Sequence, residues 1–94
     1  MAAELRFSES RQIRLGIYRQ EVYYDGFFVG FLYTREKNIL TPLEERFSIP
    51  DVDKGLEDGR WVVLRHFTDY NNALQYVQDN FAQIVNIISN GDWD

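Results

Sequence analysis

The segment Val22–Thr34, VYYDGFFVGFLYT, constrains this chain more than any other part of it. Asp25-Gly26 at its centre is a strong hairpin signal, because a type I′ turn needs positive φ at both central residues. On either side of the turn nearly every residue is aromatic or aliphatic. A sheet with one solvated face alternates apolar and polar residues. That alternation is missing here, so the hairpin asks for apolar cover on both faces.

Counting outward from the turn pairs Tyr24 with Phe27, Tyr23 with Phe28, Val22 with Val29 and Glu21 with Gly30. One face then carries Val22, Tyr24, Phe27, Val29, Phe31 and Tyr33, and this face reads as core. The other carries Tyr23, Phe28 and Leu32, with Arg19, Glu21 and Gly30 among them. Gly30 makes a notch between Phe28 and Leu32, and a glycine inside a strand often marks a bulge or the close approach of another backbone.

Upstream, RQIRLGIYR sets Ile13, Leu15 and Ile17 against Arg14, Gly16 and Tyr18, the pattern of a strand with one apolar face. Val22 and Tyr24 fall on the opposite parity. Either a bulge near Arg19–Gln20 restores the phase, or the strand is apolar on both faces. Residues 1–10 read as a loose arm or a short edge strand. Downstream, TPLEE has the form of a helix start: Thr41 as cap, Pro42 in the first turn and Glu44 three residues after the cap. A polar acidic loop, PDVDKGLEDG, follows, and then RWVVLRHF (residues 60–67), dense in β-branched and aromatic residues, reads as a strand.

Thr68 or Asp69 is placed to cap a final helix. Ala73, Leu74, Val77, Phe81, Ile84, Val85 and Ile88 are spaced by threes and fours, which predicts one amphipathic helix over about residues 69–89, stopped by Asn90-Gly91. At ~1.5 Å per residue it is ~31 Å long. Along its flank Tyr76, Asn80, Gln83 and Ile87 have the spacing of a helix-pairing seam.

The expected fold is therefore α+β in a single domain, residues 1–94: an antiparallel sheet of about three or four strands, with one long helix on one face. A lone helix covers one face of a sheet. The second face, with Tyr23, Phe28, Gly30 and Leu32, is expected to meet another protein chain, and a symmetric homodimer is the simplest case. Tyr76 and Ile87 on the helix flank are the other candidate interface residues.

The sequence offers little for catalysis. There is no cysteine, which excludes disulfides and thiolate chemistry. His66 is the only histidine, and the serines, Ser8, Ser10, Ser48 and Ser89, lie in no nucleophile-elbow context. DVDKGLED fails the EF-hand pattern, with Gly55 where a ligand belongs and Val62 at the twelfth position. The glycines form no phosphate-binding run. No catalytic residue, metal or cofactor is expected.

The net charge of −5 argues against nucleic acid as a partner. Charge is uneven: residues 1–40 hold six basic against five acidic side chains, and residues 41–94 four against ten. The longest apolar run, FFVGFLY, is far short of the ~20 residues of a membrane helix. MAAELRFSES lacks the apolar core of a signal peptide, so a cytoplasmic location is expected. The leading expectation is a small non-catalytic protein-binding, regulatory or assembly-factor protein acting through an aromatic sheet face and an acidic surface. The alternative is a small-ligand-binding protein or enzyme with a pocket between sheet and helix.

Overall fold

A computed structural model describes residues 3–36 and 43–93. The fold is α+β. An antiparallel sheet of six strands, not three or four, carries two helices on one face. β1 (Leu5–Phe7) and β2 (Arg11–Arg14) lie along the same edge of β3 (Ile17–Tyr24), which pairs with β4 (Phe27–Arg35). β5 (Glu44–Pro50) follows β4 in the sheet. β6 (Leu56–Glu57) and β7 (Trp61–Val62) form a separate ribbon, and β8 (Leu64–Phe67) is the far edge of the main sheet.

The Asp25-Gly26 turn forms as the sequence predicts, with φ of 49° and 81°. Tyr24 pairs with Phe27 and Tyr23 with Phe28, but Val22 then pairs with Gly30. The extra residue is Val29, so the bulge lies in β4 and not near Arg19–Gln20 in β3. It reverses the parity of everything beyond it. Leu32, expected on the second face, is buried against the helices, whereas Phe31 and Tyr33, expected in the core, fall on the second face. Gly30 permits the bulge. A Cβ there would collide with the carbonyl oxygen of Ser48 on β5.

Other expectations also change. The strand through Gln12–Tyr24 breaks at Leu15-Gly16, where Gly16 has a φ of 75°, and the turn leaves Leu15 fully in solvent. Of the expected helix start, Thr41 and Pro42 lie outside the described residues. Glu44 and Glu45 open β5 instead of a helical turn, because Phe47 and Ile49 alternate with Arg46 and Ser48 and both bury against the helices. The acidic loop contains a second Asp-Gly turn, Asp58-Gly59, with φ of 54° and 68°, that joins β6 to β7. The strand expected over residues 60–67 is two. It divides at Val63, whose N–H donates to the Gly55 carbonyl and whose carbonyl accepts from the Asp51 N–H.

The single long helix is also two, α1 (Tyr70–Asp79) and α2 (Phe81–Asn90). The Asp69 carboxylate caps α1 by accepting from the Asn72 N–H at 2.9 Å. Asn80 interrupts the helix: its side-chain amide and its backbone N–H both donate to the Tyr76 carbonyl, at 2.9 and 3.1 Å. An asparagine that bonds local backbone competes with helix propagation. Ala73 and Val77 of α1 and Ile84 of α2 are fully buried against Val22, Val29 and Ile49.

After α2 the chain turns around the end of the sheet. Gly91 passes where a Cβ would strike Leu56 and Val62. The Asp92 N–H donates to the Arg60 carbonyl at 2.7 Å, the Asp92 carbonyl accepts from Val62, and its carboxylate pairs with Arg60 at 3.0 Å.

The two glycines separate steric from conformational cost. Gly30→Ala should lower unfolding stability by about 2–3 kcal/mol through overpacking. Gly26→Ala, with open space around it, should cost about 1–2 kcal/mol from its left-handed backbone alone. Urea unfolding of both variants checks the order, and a Gly30→Ala protein as stable as the native one would contradict the bulge.

Candidate functional site

Because the helices lie on one side of the sheet, the second face is assembled from alternate residues of four strands. β3 contributes Ile17, Arg19, Glu21 and Tyr23. β4 contributes Phe28, then beyond the bulge Phe31, Tyr33 and Arg35. Glu44, Arg46 and Ser48 come from β5, and Leu64 and His66 from β8.

The end of the face near the Asp25-Gly26 turn is aromatic. Phe28 meets Tyr23 and Phe31 edge-on, with ring centroids 6.0 and 5.1 Å apart. Trp93, carried around the sheet end by residues 91 and 92, packs on Phe28 at 5.4 Å and Phe31 at 5.2 Å. Tyr33 extends the cluster from Phe31, at 6.1 Å, and the Arg19 guanidinium lies 4.5 Å from the Phe31 ring centre. These rings are half-buried. The Tyr23 hydroxyl donates to the Glu21 carboxylate, and that bond raises its pKa. The Trp93 indole N–H is buried without a hydrogen-bond partner among the described residues.

The other part of the face is a diagonal depression of about 380 Å3, running from Ile17 across Tyr33, Arg35, Glu44 and Arg46 to Ser48, His66 and Leu64. Ser48 is buried, and its hydroxyl lies 2.9 Å from His66 Nδ1. Burial, and then the nearby Arg46 charge, hold the His66 pKa below its ordinary value. Among the described residues no carboxylate orients the imidazole, so the pair lacks the third member of a Ser-His-acid arrangement. No group of three or more acidic or histidine side chains among the described residues is placed to hold a metal ion. No helix among them is long and apolar enough to cross a membrane.

Of the candidate interface residues, Tyr23 and Phe28 lie together on the open face. Gly30 is buried against β5, and Leu32 is core. Tyr76 faces inward: its hydroxyl donates to the Pro50 carbonyl at 2.8 Å and accepts from the Val52 N–H at 2.9 Å, and its ring meets Phe67 at 5.0 Å. Ile87 sits half-buried on α2, and the break at Asn80 divides the stripe between two helices. The sequence reading missed Phe31, Tyr33, Trp93, Arg46 and Ser48 as members of this face. The alternation in EERFSIP is a signal for the last two, whereas nothing local to Trp93 marks its place.

His66 supplies a pH dependence with a definite sign. A histidine with a depressed folded-state pKa contributes stability above its unfolded pKa, and loses it as pH falls through the folded value. Its NMR titration midpoint should lie below 6.5 and move upward in Arg46→Ala; a native midpoint at or above the ordinary value would contradict the geometry. Compared with family models, with curated proteins and with solved structures, the chain matches none.

Proposed function

We propose that the protein is a small non-catalytic binding protein, with a regulatory or assembly role, that docks another protein chain on the aromatic end of its open sheet face. The observation that supports this reading is the asymmetry of the sheet. Two helices cover one side, while the other carries Tyr23, Phe28, Phe31, Tyr33 and Trp93 as a continuous, half-exposed ring cluster. Contiguous apolar patches of this kind mark interaction sites.

A second copy of the chain is the occupant that this surface favours. Arg11 and Arg19, paired across β2 and β3, lie beside Glu21 on the same face. Charges of both signs next to an apolar patch make a surface complementary to itself. The molecule measures 40 × 37 × 21 Å, and its broad side exceeds the ~800 Å2 that each partner gives to an interface of standard size.

The acidic surface supports the reading less, because several of its carboxylates serve the fold. Asp69 caps α1, Asp92 pairs with Arg60, and Asp51 accepts from the Asp53 and Lys54 N–H groups. A ligand-binding reading is favoured by one observation, the depression around Ser48 and His66, which lies on the side of the sheet away from the helices.

Light scattering on a sizing column at low and high salt tests the docking reading. The native protein should run as a dimer that resists salt, and Tyr23→Asp combined with Arg19→Glu should give a folded monomer with an unchanged circular dichroism spectrum. A native monomer at high concentration would remove the second copy as occupant. A double variant that remains dimeric would remove this face as the contact.

A further inference from the structure

We propose that the diagonal depression binds a small organic anion with a flat apolar body, of the aromatic carboxylate class. The inference goes beyond the docking reading, and it concerns the opposite part of the face from Tyr23, Phe28 and Trp93.

Three observations carry it. The first is space: about 380 Å3 lies within the range of small-molecule sites. The depression crosses β3, β4, β5 and β8, three inter-strand steps of ~4.8 Å each, or ~14 Å from end to end. That is a slot for an elongated, flat body.

The second is the nature of its walls. Ile17 at one end, Leu64 at the other and Tyr33 between them supply apolar surface on a flat pleated floor.

The third is unbalanced charge. Arg35 stands directly across from Glu44 in the pairing of β4 with β5, whereas Arg46 stands across from the uncharged Tyr33. Two guanidinium groups, Arg35 and Arg46, line the depression against one carboxylate, Glu44, so the described lining carries a net positive charge. A guanidinium presents a planar fork of donors that matches a carboxylate in two parallel hydrogen bonds.

His66 adds a polar contact next to Arg46. Burial and the Arg46 charge keep its ring neutral near pH 7. In the tautomer in which the Ser48 hydroxyl donates to Nδ1, the ring proton is on Nε2, which becomes a donor to the same anion. A cationic ligand would meet Arg46 unfavourably.

The test is an NMR-monitored titration of the whole protein with 2-naphthoate, and with its neutral isostere 2-naphthamide. Saturable shifts from 2-naphthoate are expected at residues lining the depression in β3, β4, β5 and β8, with affinity at least tenfold above that of the amide. Arg46→Ala should weaken 2-naphthoate binding at least tenfold, and Lys54→Ala, in the loop after β5 and outside the depression, should leave it unchanged. Equal binding of acid and amide would overturn the role of charge. Shifts confined to Tyr23, Phe28 and Trp93, or none that saturate, would overturn the site. The acid and amide comparison on the native protein decides the matter even where Arg46→Ala unfolds.

Discussion

The close approach of Gly30 to the Ser48 carbonyl decides which residues face inward and which face out. One extra residue, Val29, in β4 moves Leu32 to the helix side and sends Phe31 and Tyr33 to the other. Because β5 pairs with β4 beyond the bulge, its register inherits the change. Phe47 and Ile49 go to the core, and Arg46 and Ser48 to the open face. β8 follows β5, which places His66 beside Ser48. The core and the open face are thus two products of one steric fit between a glycine and a carbonyl.

The helices and the tail divide the cover of the sheet unequally. The core side receives α1 and α2, with the side chains of Ala73, Val77 and Ile84 excluded from solvent. Among the described residues the other side receives one large residue from outside the sheet, Trp93, held in place by the ring contacts and by the hydrogen bonds that Asp92 makes to Arg60 and Val62. The Trp93 indole N–H has no hydrogen-bond partner among the described residues, and packing on Phe28 and Phe31 supplies its contacts there. Trp93 covers the aromatic end in part and lies outside the lining of the slot between Ile17 and Leu64.

Much of this was legible in the sequence because it rests on local chemistry. Asp25-Gly26 set its own turn, Asp69 its own cap, and the spacing of Ala73, Val77 and Ile84 its own buried stripe. The features that were not legible depend on a partner strand. Nothing within β4 says that its bulge lies at Val29, since the same apolar residues satisfy either parity until β5 is in place. The break at Asn80 has a local cause, a side chain that bonds the Tyr76 carbonyl, but the apolar spacing runs through it without interruption. The Glu44-Glu45 segment shows the converse. A helix-start pattern gave way to a two-residue alternation whose reward, burying Phe47 and Ile49, is tertiary. Trp93 is the extreme case, a residue whose place is fixed by strands about 60 positions earlier.

The position of Trp93 bears on how the chain is made. Synthesis delivers the β3–β4 hairpin before α1, α2 and Trp93. Until Trp93 is made, Phe28 and Phe31 have no indole over them, and even the core side waits for α1 and α2. A nascent chain that holds a paired, doubly apolar hairpin before its cover is made is open to association with neighbouring chains. The short edges of the sheet, β1 with three residues and β8 with four, limit strand-to-strand growth. The hazard therefore lies in the face and not the edges, and it lasts until Trp93 has emerged.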